Sequence, residues 1–115
     1  MIYSKKSKPF HWTTHVKDKM RFYRLSESRV KRVMHSPRRI EEGIAPDTIA
    51  MMQPASIRTG MENGKRKETW NQELWVMIEE TKKERKIISA WRYPGMTRAG
   101  QPLPEEILRE ISEAL

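Results

Sequence analysis

Four polar side chains are of the types that a metal-free ribonuclease uses. Such an enzyme needs a group that takes the 2′-OH proton, a group that protonates the leaving oxygen, and cations that stabilise the charged phosphorane. His15, Arg24, Arg92 and Tyr93 could supply these roles if the fold brings them together. Each also has a structural alternative, because a histidine at a helix start, a tyrosine at the core edge and surface arginines in ion pairs are common. The sequence therefore predicts a candidate catalytic site and leaves the structural roles open.

The sequence favours neither a metal site nor a cofactor site. His11 and His15 have the i,i+4 spacing of two metal ligands on a helix, but the residues at 12–14 are poor helix formers. No glutamate follows His11 to complete a zinc-protease motif, and the five glycines are too scattered for a phosphate-binding loop. The chain has no cysteine, which excludes disulfides, thiolate zinc sites and a cysteine nucleophile. We expect no metal and no cofactor.

Positive charge is concentrated in the first third of the chain. Residues 1–39 hold 12 Lys/Arg and 2 acidic residues, a net charge of +10, whereas the remainder holds 11 and 13, a net charge of −2. Such asymmetry indicates a polyanionic partner, with a merely solvated basic surface as the alternative. Membrane lipid fits less well, because the basic segment lacks a wide apolar face.

RNA binding requires cations for the phosphates and flat side chains for the bases. Trp75 and Trp91 fall on predicted core strands, whereas Trp12 and Trp70 border loops and are better placed for stacking. The residues predicted to contact RNA are Lys17, Lys19, Arg21, Arg29, Lys31, Arg32 and Trp12.

Length and composition predict one domain. The 115 residues match the commonest domain size, and we expect a flexible basic N-terminal segment at 1–9 followed by a single α+β domain at 10–115. The apolar runs are far shorter than the ~20 residues that a membrane span needs, so no membrane contact is expected. The first eight residues lack the apolar stretch of a secretory signal, so the sequence favours a cytoplasmic protein.

The first half of the chain predicts a weak strand and two helices. The strand covers 10–13, and Thr14 is predicted to cap a helix that runs to about Tyr23. Ser26 is a stronger cap for the second helix, which ends at Ser36-Pro37 because the residue before a proline avoids helical geometry. Val30, Val33 and Met34 form its apolar stripe.

The second half predicts strands and a final helix. Residues 38–44 suggest a short exposed strand, 48–53 a strand that is apolar on both faces, and 54–69 a mobile loop or loose hairpin tip. The runs 70–80 and 87–93 predict an antiparallel hairpin around a hydrophilic turn. In the first run Leu74, Val76 and Ile78 point one way, and Trp75 and Met77 the other.

A helix is predicted from Pro104 to the C-terminus, with Ile107, Leu108, Ile111 and Leu115 on its apolar face. The predicted fold is therefore α+β, with two N-terminal helices, a mainly antiparallel sheet of about four strands and a C-terminal helix.

The order of motifs resembles a family of small bacterial domains of unknown function, catalogued as four-two-five-eight, which is distantly similar to the BrnT and RelE-like toxins. The resemblance covers roughly residues 10–95. It rests on an early histidine with a basic helix (His15-Val16-Lys17-Asp18-Lys19-Met20), on Leu25-Ser26 with Val30 and Val33-Met34, on Ser36-Pro37, and on Ile88-Ser89-Ala90-Trp91-Arg92, which looks like the Ile-Ser-Ala-Arg segment of BrnT-type toxins.

The resemblance implies a ribonuclease-like fold, RNA cleavage, and an antitoxin protein as a partner. The chain departs from the family at 54–69, which looks like an insertion, and after Tyr93, where a Pro-rich turn and an acidic helix follow. Two hypotheses result. The first is an RNA-associated, toxin-like endoribonuclease that needs no metal, in which Arg24 and Arg92 hold phosphate and His15 moves a proton. The second is a non-catalytic module that binds a nucleic acid or an acidic protein.

Overall fold

The computed structural model describes residues 8–42 and 46–114. Three helices and seven strands are present in these ranges. The helices are α1 (Thr14–Tyr23), α2 (Glu27–His35) and α3 (Glu105–Ala114). The strands are β1 (Phe10–Trp12), β2 (Arg39–Glu42), β3 (Thr48–Pro54), β4 (Arg58–Glu62), β5 (Lys65–Thr69), β6 (Glu73–Glu80) and β7 (Arg85–Tyr93). Among the described helices, none is long and apolar enough to cross a membrane.

Five strands form the main sheet in the order β1-β7-β6-β3-β2, and β4 and β5 form a separate hairpin. All pairings are antiparallel except that of the short β1 with the start of β7. The predicted mixed α+β fold is confirmed. The main sheet has five strands in place of about four, and the predicted hairpin of 70–80 with 87–93 corresponds to β6 and β7.

The sheet separates two apolar clusters, as the alternation along β6 predicts. Leu74, Val76 and Ile78 pack against the apolar stripes of α1 and α2. Trp75 and Met77 face the other way, toward Ile107 of α3 and its neighbour Ile111. The buried apolar faces of β6 therefore explain why the helices lie on both sides of the sheet. Leu108, which was predicted on the apolar face of α3, is 44% exposed, and Leu115 lies outside the described residues.

The helix caps follow the sequence with one correction. Thr13, and not Thr14, caps α1, because its side chain accepts the N–H of Val16 while its hydroxyl also bonds the carbonyls of β7. Ser26 caps α2 as predicted, accepting the N–H of Arg29. Between the two helices Arg24 has left-handed backbone geometry, with φ 57° and ψ 52°. The chain therefore turns from α1 into α2 within three residues, through a reversal that usually employs glycine.

Two segments differ from their predicted character. Of the predicted strand 38–44, residues 39–42 form β2, and residues 43–44 lie outside the described residues. The predicted exposure is wrong for Arg39, which is 7% exposed. The Arg39 guanidinium donates to Glu41 and to the backbone carbonyls of Arg98 and Gln101. The two carbonyls are too distant in sequence for these contacts to be predicted. The segment 54–69, predicted as a mobile loop or a loose hairpin tip, contains the regular hairpin β4–β5, closed by Asn63 and Gly64, which both have positive φ.

A buried carboxylate anchors the segment that leads to α3. Glu73 is fully buried and accepts the indole N–H of Trp70 at 2.8 Å and that of Trp75 at 3.0 Å. The N–H and the hydroxyl of Thr97 complete the set, at 2.6 Å and at 2.9 and 3.0 Å. These bonds replace the water that a buried carboxylate loses, and they join β6 to the loop after β7.

We predict that Glu73→Gln destabilises the fold by about 1–3 kcal/mol. The NH₂ group of the new amide cannot accept a hydrogen bond, so buried donors that now bond the carboxylate would lose their acceptor. Urea unfolding followed by tryptophan fluorescence measures the effect directly. Glu79→Gln on the same strand is the matched control, since the side chain of Glu79 makes no hydrogen bond or ion pair to a described residue. Equal urea midpoints for the two variants would contradict this role for Glu73.

Candidate nucleic-acid interface

The end of β7 and the end of α1 are joined by Arg92. Its guanidinium donates to the carbonyl of Tyr23 at 2.7 Å, to the carbonyl of Arg24 at 3.3 Å and to Oε1 of Gln72 at 3.0 Å. The last carbonyls of a helix have no partner within the helix and carry partial negative charge, so a guanidinium is a favourable cap. Arg92 therefore holds the α1–α2 turn against the sheet.

Arg29 lies at the same end of the sheet. It donates to Oε1 of Gln53 at 2.6 Å and to the carbonyl of Pro54 at 3.1 Å. Partial burial lowers the pKa of Arg29, and the charges of Arg32 and Arg92 lower it further. The guanidinium still carries its charge at neutral pH. The neighbouring positive charges repel one another, and a bound anion would reduce that repulsion.

We name Arg24, Arg29, Arg32 and Arg92 the arginine edge. Arg24 and Arg32 are exposed and form no ion pair with a described residue. Arg24 is the more unusual, because its left-handed backbone costs a non-glycine residue about 1 kcal/mol. Strained backbone of this kind is found more often at functional sites than elsewhere. The arrangement can bind phosphate groups through guanidinium donors.

The four predicted catalytic residues do not lie together. Arg24 and Arg92 meet at the end of α1, whereas His15 lies in its first turn, about 14 Å away along the helix axis. Tyr93 follows Arg92 on the strand and therefore faces the opposite side of the sheet, where it packs on the cluster beneath α3. Nε2 of His15 is buried without a hydrogen-bond partner among the described residues.

The predicted RNA contacts fall into several groups. Arg29 and Arg32 belong to the arginine edge, and Lys17 is exposed on α1 without an ion pair to a described residue. Arg21 pairs with Asp18, and Lys19 is held at 2.8 Å by Glu110 of α3.

Two further predicted contacts lie away from the edge. Lys31 borders a groove of about 620 Å³ near the start of β7, with Met34 and Arg85 among its other walls. Trp12 is half-buried against the cluster under α1 and α2, which leaves less of its ring for stacking.

Glu110 also bonds Tyr23, so α1 and α3 are joined beside β7. The phenol donates to Oε1 of Glu110 at 3.1 Å. Burial raises the pKa of Tyr23 to about 12, and the Glu110 carboxylate adds to the rise. Lys19 and Tyr23 are thus committed to contacts within the protein.

The two helical layers carry opposite charge. The segment 14–35, which contains α1 and α2, has seven Lys/Arg and two acidic residues, whereas α3 has four glutamates and one arginine. The sheet therefore presents a positive side and a negative side. Such a field orients a polyanion toward α1 and α2 as it approaches.

The sequence did not predict Arg58 as a residue that borders the arginine edge. Arg58, at the base of the β4–β5 hairpin, lines a cavity with Asn71, whose neighbour Gln72 is bonded by Arg92. The cations on both sides of Asn63-Gly64 were the available signal, but the segment was predicted only as a mobile loop or a loose hairpin tip and none of its residues was predicted to bind. Within the described ranges, no group of three or more His, Asp or Glu residues is placed to hold a metal ion.

Comparison with protein-family models, with curated proteins and with solved structures finds no match to this chain. The case for a function therefore rests on the site itself.

We predict that Arg92→Ala lowers stability by about 1–2 kcal/mol, since the carbonyls at the end of α1 lose their cap. Chemical denaturation followed by circular dichroism tests this. Arg109→Ala is the control, because Arg109 is an exposed arginine on α3 with no ion pair to a described residue. An Arg92→Ala protein as stable as the Arg109→Ala protein would refute the structural role of this guanidinium.

Proposed function

We propose that this protein binds RNA, with the arginine edge contacting the phosphate groups. The observation that carries the proposal is Arg24, an exposed cation at a backbone position that favours glycine. Its carbonyl accepts a hydrogen bond from Arg92, which lies close enough to Arg29 to act on its charge. Guanidinium groups suit phosphate because they present several donors in a fixed plane. The choice of RNA follows the resemblance to the BrnT and RelE-like toxins.

Binding is better supported than cleavage. A metal-independent endoribonuclease needs a proton acceptor beside the phosphate, and His15 lies about 14 Å along α1 from Arg24. The binding hypothesis requires only the cations that the fold brings together. Cleavage by the His15, Arg24, Arg92 and Tyr93 set stays a prediction, as does an antitoxin partner. A non-catalytic RNA-binding module is therefore the function that the geometry supports best.

Arg24→Gly separates binding from folding. Glycine adopts the left-handed turn without strain, so we expect the stability to be equal to that of the wild type or up to about 1 kcal/mol higher. The same change removes a phosphate contact, so the affinity for RNA should fall roughly fivefold and the salt slope by about 0.7. Fluorescence anisotropy with a short labelled RNA, measured over a series of salt concentrations, gives both quantities.

Arg109→Ala controls for the loss of one positive charge, because it lies on the acidic α3. Its affinity for RNA should match that of the wild type. RNA affinity that does not change with salt, or an Arg24→Gly protein that binds as the wild type does, would contradict the proposal. Incubating the same RNA with wild-type protein and EDTA tests cleavage, and fragments that end in a 2′,3′-cyclic phosphate would restore the endoribonuclease hypothesis.

A further inference from the structure

The β4–β5 hairpin projects from the end of the sheet that carries the arginine edge. Every residue of β4 is exposed, and apart from each other the two strands make no extensive contact with another helix or strand. Neither strand contributes a side chain to the two buried clusters. A hairpin that buries so little needs a role other than stabilising the core. We call residues 58–69 the arm.

One face of the arm carries cations at regular intervals. The strand register places Arg58 opposite Thr69, Gly60 opposite Lys67, and Glu62 opposite Lys65. Directly opposed residues share a face, and successive rows on a face lie about 7 Å apart. Arg58, Lys67 and Lys65 therefore follow one another from the base of the arm to its tip, at about the separation of successive phosphates along a nucleic-acid strand.

The acidic residue on this face is already neutralised. Glu62 accepts a hydrogen bond from Lys67 at 2.8 Å, and that bond lowers the pKa of Glu62. Arg58 and Lys65 form no ion pair with a described residue. The two ends of the row are therefore available to an anion.

Gly60 leaves the middle of the same face flat. Its backbone is not in the left-handed region, and no atom lies within 4 Å of where a Cβ would stand. Neither backbone geometry nor packing within the described protein requires glycine here. Glycine within a strand commonly marks a place where another backbone or a ligand approaches closely.

The opposite face makes an ion pair with the body of the protein, while Met61 and Arg66 on the same face stay exposed. Glu68 of that face pairs with Arg38, just before β2. The first face continues into the arginine edge, because Arg58 and Asn71 line one cavity and the adjacent Gln72 accepts from Arg92. A strand held at the arginine edge can therefore extend along the first face of the arm.

We propose that the arm lies along the sugar–phosphate backbone of the bound RNA, with phosphates at Arg58 and Lys65 and the closest approach at Gly60. This inference rests on the proposed RNA-binding function and adds a second contact region to it. The arm contains no aromatic residue, so it offers no surface on which bases stack. Its contribution to affinity should therefore be independent of RNA sequence.

Gly60→Val is the decisive variant. Valine suits an exposed strand, and its Cβ would have no atom within 4 Å, so the fold should be unchanged or slightly more stable. Its side chain would keep the backbone of the RNA away, so we expect affinity to fall roughly fivefold, the order of one or two lost phosphate contacts. Thr59→Val, on the adjacent residue and the opposite face, should bind as the wild type does.

The probes are a labelled single-stranded RNA and a labelled RNA hairpin, and the tighter-binding one is used for the variants. Lys65→Gln should weaken binding, whereas Lys82→Gln, in the exposed turn between β6 and β7, should not. If Gly60→Val and Lys65→Gln bind as the wild type does while Arg24→Gly is impaired, the arm proposal fails and the arginine edge stands. If Arg24→Gly also has no effect, or the wild type binds neither probe, both proposals fail.

Discussion

The three-way hydrogen bonding of Arg92 is the contact on which the proposed interface depends. By holding the carbonyls of Tyr23 and Arg24, the guanidinium fixes the point at which α1 ends and α2 begins. That point also sets the direction of α2, and with it the positions of Arg29 and Arg32. The bond to Gln72 reaches toward the base of the arm. A single half-buried arginine thus links the sheet, the α1–α2 turn and the base of the hairpin.

At the arginine edge, repulsion between like charges opposes the stability of the fold, whereas the buried charges elsewhere contribute to it. Partial burial lowers the pKa of Arg29, and repulsion from Arg32 and Arg92 lowers it further. Arg24 adds backbone strain. In contrast, the buried charges of Glu73 and Arg39 are fully engaged with donors or acceptors in the 97–101 segment, which leads to α3. The repulsion at the edge is relieved when a polyanion supplies the missing negative charge.

Local sequence patterns predicted the helices and strands, but the roles of individual side chains depend on contacts between residues that are distant in sequence. The alternation along 74–78 and the cap at Ser26 were sufficient to predict β6 and α2, because both signals lie within a few residues. The roles of Glu73 and Arg92 could not be predicted, since their partners lie 24 and 69 residues away. His15 and Arg92 were grouped by chemical type alone, and the length of α1 separates them. Arg29 and Arg32 were predicted to contact RNA, but only the folding of the sheet brings Arg92 to them.

Mapping the bound surface on isotope-labelled protein tests the central claim most directly. Nuclear magnetic resonance spectra recorded while RNA is added report which backbone amides change their environment. The account predicts that signals from 24–32, 58–69 and 71–72 move together with one apparent affinity, and that signals from α3 and from the turn at 81–84 stay in place. Shifts centred on α3, or on the groove residues Met34, Glu80 and Arg85, with the 24–32 signals unmoved, would contradict it.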